Sequence, residues 1–117
     1  MQLEMNNRQA GLDEEVSHRA ERQLRLSLSR FIGAVSRVRV TFFDVNGPKG
    51  GLDKRCRITA KMKTAGQMVV QDNGHDYTEA LSLCLDKLTR ALRREVDRRR
   101  TKTIRKNRID INYLSII

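Results

Sequence analysis

The sequence predicts an α+β fold, a two-layer β-α-β-β-β-α domain in which two helices pack on one face of a four-stranded sheet. Apolar residues recur at helical spacing in two stretches and at alternate positions in four others. The 117 residues, 38% of them apolar, suffice for one compact domain and fall short of two. We therefore expect residues 1–100 to form one domain, followed by a tail, 101–117, that is first basic and then apolar.

The first two elements are a short strand and a helix. Leu3 and Met5 lie on one side of an alternating stretch that runs from Gln2 to Asn6, which predicts a strand. A helix is predicted from about Asp13 to Arg30, because its first turn is acidic, as the helix dipole favours, and its apolar residues recur every three or four positions. Those residues are Val16, Ala20, Leu24, Leu28 and Phe31.

Three strands follow, joined by turns. Apolar and polar residues alternate over 37–42, over 55–63 and over 67–72, which predicts the second, third and fourth strands. The stretch 46–53 contains three glycines and a proline, so it predicts a long hairpin loop. Ala65 and Gly66 predict the turn into the fourth strand. Strands joined by hairpins form an antiparallel sheet.

The second helix is predicted to begin at Asp76 and to end at about Arg100. Asp76 is the candidate N-cap, and Glu79 completes a capping box. Its apolar stripe is Ala80, Leu81, Cys84, Leu88, Ala91 and Leu92. The tail beyond it is either mobile, or an added strand or clasp that covers a sheet edge or contacts a partner.

The charge of the chain indicates a polyanionic partner. Lys and Arg total 24 against 14 acidic residues, so the formal net charge is +10 and the sequence pI is near 10.4. Such a charge favours nucleic acid, because contacts to phosphates release counterions. No apolar run approaches the roughly 20 residues that span a bilayer, and 1–7 lacks a signal-like stretch, so we expect no membrane partner and a cytoplasmic location.

One candidate RNA-binding surface lies on the second helix. At about 100° per residue, Lys87, Arg90, Arg94 and Arg98 fall on one flank beside the apolar stripe, and we call these four residues the helix flank. Arg93 extends the charge. The alternative interpretation is a solvated helix face with a few ion pairs between residues four apart. We expect this flank to bind RNA more strongly than the sheet does.

The second candidate surface is the side of the sheet that faces away from the core, which we call the sheet face. Its basic residues are Arg37, Arg39, Arg55, Arg57, Lys61 and Lys63, of which the first five are the candidate RNA-binding residues. Charged residues also limit edge aggregation on solvated sheets, so this surface has a structural alternative. Aromatic content is only 4%, which predicts recognition of RNA backbone and shape in place of base stacking.

The sequence offers no residues for catalysis, and no cofactor, metal site or small-molecule substrate is predicted. His18 and His75 are far apart and have no metal-ligand spacing with the cysteines. Cys56 and Cys84 fall among apolar residues, so we expect both to be small core side chains in a reducing compartment. No Ser, His and Asp arrangement stands out, and we do not expect an enzyme.

Residues 74–94 resemble the second helix of a known family. Gly74-His75-Asp76, Ala80-Leu81 and the run DKLTRALRR at 86–94 are similar to the hibernation-promoting factors, which include ribosome-associated inhibitor A and the sigma-54 modulation proteins. The element order is also similar over about 1–100. In this resemblance, Lys87, Arg90, Arg94 and Arg98 match the family's basic positions.

The resemblance implies a translation inhibitor that binds the 30S ribosomal subunit and its 16S rRNA. Such a protein occupies the decoding channel, overlaps the mRNA and tRNA sites, silences idle ribosomes and is monomeric off the ribosome. The chain would be a short form without the separate dimerisation domain of the long factors.

Two other functions compete with this one. A double-stranded RNA-binding domain shares the three-stranded sheet and two helices, but its lysines cluster where the second helix begins, where this chain has Asp76 and Glu79. The other alternative is a protein-interaction factor in which Ile109 to Ile117 dock on a partner.

Overall fold

The computed structural model describes residues 1–6, 12–44, 54–64 and 66–98, and the helical backbone of 99–116. The order of elements is β-α-β-β-β-α, as predicted. The elements are β1 (Gln2–Asn6), α1 (Glu14–Ser27), β2 (Val35–Asp44), β3 (Lys54–Met62), β4 (Gln67–Gly74) and α2 (Tyr77–Ile116). The predicted hairpin loop at 46–53 lies outside the described residues.

The four strands form one mixed sheet in the order β1-β2-β3-β4. β2, β3 and β4 are antiparallel neighbours, as their hairpin connections predict. β1 pairs with β2 in parallel, because the chain returns through α1 before it enters β2. The fold is therefore α+β, and its sheet is mixed because the edge strand β1 is parallel to β2.

Both helices bury their apolar stripes on the same face of the sheet. Leu24 of α1 and Leu88 of α2 are fully buried, as are Val38, Val40 and Ile58 of the strands beneath them. Burying one such side chain stabilises the fold by about 1.5–3 kcal/mol. The opposite face of the sheet carries no layer among the described residues, so its side chains meet solvent.

A β-bulge at the start of β2 changes the expected alternation. Val35 lies opposite Met62 and Arg37 lies opposite Lys61, so Ser36 is an extra residue, and its Oγ donates to the Lys61 carbonyl at 3.1 Å. Strict alternation would place Val35 on the same face as Arg37, yet Val35 is fully buried. The bulge thus adds one side chain to the core without turning the arginines inward.

Helix α1 ends three residues earlier than predicted. It stops at Ser27, and a 3₁₀ turn follows at Ser29–Phe31, in which the Phe31 N–H donates to the Leu28 carbonyl at 3.0 Å. The tighter turn still buries Leu28 and Phe31.

The start of α2 agrees with the predicted cap. The Glu79 N–H donates to Asp76 Oδ1 at 2.7 Å, which satisfies one of the free donors of the first turn. Gly74 is required just before it, because a Cβ at this position would lie 2.6 Å from the Ala80 backbone nitrogen. Only glycine at position 74 therefore allows the end of β4 to pass this close to the first turn of α2.

Helix α2 continues beyond its predicted end at Arg100. Its backbone is helical to Ile116, and no Gly or Pro in 101–116 interrupts it. The tail therefore does not form an added strand over this range. The long axis of the fold is 72 Å as a result.

The two cysteines are core residues, as predicted. Cys56 and Cys84 are both fully buried and free, and Cys84 Sγ donates to the Cys56 carbonyl at 3.4 Å. A side-chain hydrogen bond between the two thiols, together with burial, raises the pKa of the Cys56 thiol well above its usual value. This thiol is therefore neutral at physiological pH.

Candidate nucleic-acid interface

The helix flank lies on the solvent side of α2, next to strand β4. Lys87, Arg90, Arg94 and Arg98 are all exposed, and Arg94 and Arg98 line a shallow groove with Met68 and Val70 of β4. Leu88 and Leu92 between them point into the core and hold the helix on the sheet. The predicted flank therefore exists as one surface.

Lys87 differs from the other members of the flank because its charged group contacts strand β4. Its Nζ lies 3.2 Å from Asp72 Oδ2 and donates to the Gln71 carbonyl at 3.2 Å, both on strand β4. The ammonium is thus partly neutralised and fixes α2 to the edge of the sheet. Sequence reasoning missed this role because Asp72 is 15 positions away along the chain.

The remaining arginines of this region divide into paired and unpaired residues. Arg98 Nη1 lies 3.7 Å from Glu95 Oε2. Within the described part of the chain, Arg90, Arg93 and Arg94 form no ion pair or hydrogen bond, and all three are exposed. We call these three the unpaired arginines. Arginine without an internal partner can direct all its donors to a phosphate.

The sheet face is organised in rows, because the register places outward residues of the strands side by side. One row is Gln2, Arg37, Lys61 and Gln67 across β1 to β4. The next rows are Glu4, Arg39, Thr59 and Val69, then Asn6, Thr41, Arg57 and Gln71, and then Phe43, Arg55 and Asn73. The five candidate RNA-binding residues of this face share one surface, while Lys63 lies just beyond the end of β3 and is exposed.

Each arginine of the sheet face is held by a side chain on a neighbouring strand. The contacts are Arg37 Nη2 to Gln2 Oε1 at 3.3 Å, Arg39 Nε to Glu4 Oε2 at 3.2 Å, Arg55 Nε to Asn73 Oδ1 at 3.0 Å, and Arg57 Nε to Gln71 Oε1 at 3.3 Å. Arg57 also lies over the Phe43 ring, with Cζ 5.1 Å from the centroid. The neutral partners were not predicted, since only the strand register brings them beside the arginines.

The charge on the two surfaces is distributed differently from expectation. The outward residues of the described strands include five cations and one carboxylate, that of Glu4. Over 77–98 of α2, five cations are interspersed with four acids, namely Glu79, Asp86, Glu95 and Asp97. The sheet face is thus at least as strongly basic as the described part of α2, although the sequence favoured the helix.

Helix α1 carries little net charge. Three of its acidic residues pair with a basic residue four positions on, namely Glu14 with His18, Glu15 with Arg19 and Glu21 with Arg25. Such exposed pairs contribute about 0.2–1 kcal/mol each. Among the described residues, the largest concentrations of basic charge therefore lie on the sheet face and on α2.

Other kinds of site have no counterpart in the described part of the chain. No group of three or more His, Cys, Asp and Glu residues there could hold a metal ion. Among the same residues, no helix is both long and apolar enough to span a membrane. His18 and His75 are exposed and lie on different elements, α1 and the turn before α2.

Comparison with known proteins identifies similar sequences and folds. The model of the family described as sigma 54 modulation protein / S30EA ribosomal protein matches residues 3–100. The N-terminal domain of Thermus thermophilus Protein Y superposes with a TM-score of 0.59 at 18% identity, over 80% of this chain and 93% of that one. A ribosomal subunit interface protein from Coxiella burnetii gives 0.62 at 18% identity, over 83% and 99%. No curated protein sequence matched.

Proposed function

The chain belongs to the sigma 54 modulation protein / S30EA ribosomal protein family, and we propose from this membership that it binds the 30S ribosomal subunit and inhibits translation. The partner is 16S rRNA, and the bound domain occupies the decoding channel, where mRNA and tRNA would otherwise enter. Residues 1–100 carry the binding as one domain. The protein acts in the cytoplasm, is monomeric off the ribosome, and needs neither catalysis nor a cofactor.

The observation that carries this proposal is the set of unpaired arginines on α2, inside the segment that matches the family. Arg90, Arg93 and Arg94 are exposed and have no partner among the described residues. Like charges this close repel each other unless a polyanion lies against them. A phosphate backbone supplies acceptors that suit the fork of guanidinium donors.

Inhibition follows from occupancy, without any chemical step. A rigid domain held on rRNA by several phosphate contacts excludes other ligands from the volume that it fills. The sheet face and α2 supply these contacts, while Lys87, bound to Asp72, keeps α2 in position on the sheet. Binding to backbone and shape agrees with the low aromatic content of 4%.

The competing functions have less support. A double-stranded RNA-binding domain is disfavoured because the family match covers residues 3–100, almost the whole domain. The protein-interaction function depends on 109–117, whose side chains lie outside the described residues. RNase treatment of a pull-down separates it from RNA binding, since a protein partner survives the treatment.

Two measurements test the proposal. The purified protein should co-sediment with small subunits in a sucrose gradient and should inhibit a cell-free translation reaction. The variant R90Q/R93Q/R94Q removes three phosphate contacts of about 1 kcal/mol each, so inhibition should require about a hundredfold more protein. All three side chains are exposed, so the core stays intact.

The matched control is R19Q/R22Q/R25Q on α1, which removes the same charge from exposed positions in the same layer. It should change inhibition by only a few-fold, through net charge alone. The proposal is wrong if both variants inhibit equally, or if excess mRNA and initiator tRNA never relieve the inhibition.

A further inference from the structure

Strand β4 has a neighbouring strand on only one of its two sides. It pairs with β3 and ends the sheet among the described residues. The Met62 N–H donates to the Gly66 carbonyl at 3.1 Å, so the backbone groups of these two residues point toward each other. Because this direction alternates along an antiparallel ladder, every second residue of β4 directs its N–H and C=O away from β3. Those residues are Gln67, Val69, Gln71 and Asn73.

The contacts of Cys84 independently support this alternation. Its Sγ lies 3.4 Å from the Cys56 carbonyl oxygen and 3.5 Å from the Val70 carbonyl oxygen. Neighbouring strands are about 4.8 Å apart, so one sulfur can reach both oxygens only if both carbonyls point into the space between β3 and β4. The backbone of Val70 therefore faces β3, and that of Val69 faces the outer side of β4.

Side chains close the C-terminal half of this outer side. Lys87 Nζ donates to the Gln71 carbonyl at 3.2 Å, and Asp72 Oδ1 accepts from the Asn73 N–H at 2.8 Å. The ion pair between Lys87 and Asp72 joins the two caps. The described side chains provide no such cap for the outer backbone groups of 67–70, which we call the open edge. Unpaired groups of this kind are a template for another strand.

The groove between β4 and α2 lies beside the open edge. Two arginines form its rim, of which Arg94 has no partner among the described residues. The other, Arg98, has its Nη1 3.7 Å from Glu95 Oε2. A strand added to the open edge would direct alternate side chains over this groove. The lining suits apolar side chains flanked by carboxylates, since its apolar residues are Met68, Val70 and Ala91.

We propose that the open edge and this groove bind an extended segment of a protein partner, apolar at its centre and acidic at its flanks. The segment pairs with β4 as an added strand, and its backbone exchanges hydrogen bonds with Gln67 and Val69. This inference goes beyond the proposed function, which uses no backbone group of β4. A second copy of the chain fits less well, because β4 against β4 would bring the arginine rims of both copies together.

A labelled peptide tests the inference in the absence of RNA. It carries three valines flanked on each side by two glutamates, so its residue order is the same in both strand directions, and its ends are blocked. Fluorescence anisotropy with the full-length protein should show saturable binding. The NMR signals of the Gln67 and Val69 amides should shift as their N–H groups gain acceptors. A peptide with lysines in place of the glutamates should bind at least about tenfold more weakly.

The variant Val69→Pro tests the backbone contact. Proline removes the outer N–H without breaking the ladder to β3, since this N–H points away from β3. Affinity for the glutamate peptide should fall about tenfold, as expected for one lost hydrogen bond. The same peptide with its valine amides methylated should also lose binding to the wild-type protein, which tests the edge without any change in the fold.

The variant R94Q/R98Q tests the rim and should lower affinity for the glutamate peptide about tenfold. The matched control is R19Q/R25Q, which removes the same charge from exposed positions on α1 and should stay within about twofold of wild type.

The inference is overturned if the methylated peptide binds as tightly as the unmodified one, if the glutamate and lysine peptides bind equally, or if both arginine variants weaken binding equally. It is also overturned if analytical ultracentrifugation shows a dimer that R94Q/R98Q strengthens and that excess peptide does not dissociate, because a second copy would then occupy the edge. Failure of ribosome binding contradicts the proposed function alone, since these assays contain no RNA.

Discussion

At the scale of single residues, the proposed RNA binding would make the carboxylate of Glu4 a competitor of phosphate for Arg39 on the sheet face. Glu4 Oε2 lies 3.2 Å from Arg39 Nε, and both side chains are about half exposed. The ion pair between Arg39 and Glu4 is therefore weak. A phosphate that replaces the carboxylate at Arg39 is still repelled by the negative charge of Glu4. Glu4 thus limits the affinity of the surface it helps to organise.

Replacing Glu4 with Gln should strengthen RNA binding. The amide oxygen can still accept from Arg39, while the negative charge is gone, so affinity for an RNA hairpin should rise about two- to fivefold. Fluorescence anisotropy measures this. The matched control is Glu15→Gln, which removes a carboxylate that is 74% exposed, against 54% for Glu4, from its 3.3 Å pair with Arg19 on α1. A similar gain from both variants would contradict a contribution specific to the sheet face.

The thiols of Cys56 and Cys84 should not react in the folded protein. Both are fully buried, and a side-chain hydrogen bond with Cys84, together with burial, raises the pKa of Cys56, so its nucleophilic thiolate is not populated at neutral pH. An aromatic disulfide reagent should modify neither thiol in native buffer and both in denaturant. Rapid native reaction would show that α2 separates from β3 far more often than the packing indicates.

At the scale of elements, the junction between β4 and α2 positions the whole basic helix. Asp76 caps the first turn, and Gly74 allows the strand to pass against the Ala80 backbone. Lys87 then fixes the helix to β4 through Asp72 and the Gln71 carbonyl. The orientation of the unpaired arginines therefore depends on contacts made about one to five turns earlier.

Gly74→Ala should destabilise the protein. The new Cβ would lie 2.6 Å from the Ala80 nitrogen, so either β4 or the first turn of α2 must move, at a cost of about 1–3 kcal/mol in the free energy of unfolding. Gly33→Ala is the control, because a Cβ there meets nothing within 4 Å, and it should change stability by less than about 0.5 kcal/mol. Urea denaturation measures both, and equal losses would contradict the close approach.

At the scale of the whole molecule, the basic residues in the described part of the chain are concentrated on two surfaces and are not spread evenly. The ion pairs of α1 neutralise one side of the helical layer, which leaves the sheet face and α2 as the attractive surfaces. A ligand that contacts both the sheet face and α2 must be large or must consist of several segments. Folded ribosomal RNA fits this description.

Ribosome binding should weaken steeply with salt, because every neutralised phosphate releases counterions. With about six contacts, affinity should fall roughly thousandfold between about 50 and 200 mM salt. In the variant R37Q/R39Q/K61Q, the slope of log affinity against log salt should be shallower by the amount that about three phosphate contacts contribute. Sedimentation at several salt concentrations measures both slopes. Affinity that barely changes with salt would point to an apolar protein interface.

The sequence by itself determined the element order, the two helical stripes, the core positions and the basic character of two surfaces. These properties depend on periodicity and composition, which are local along the chain. Asp76 as a cap and the alternation around Arg37 and Arg39 are examples, since each is decided by residues within a few positions.

Only the tertiary structure decided how those charges are used. The pairing of Lys87 with Asp72, the rows of the sheet face and the parallel edge at β1 all join residues that are distant in sequence. The bulge at Ser36 and the continuation of α2 past Arg100 also depart from the simple patterns. Register and layer packing set these contacts, because they follow from how the apolar faces fit together and not from any local preference.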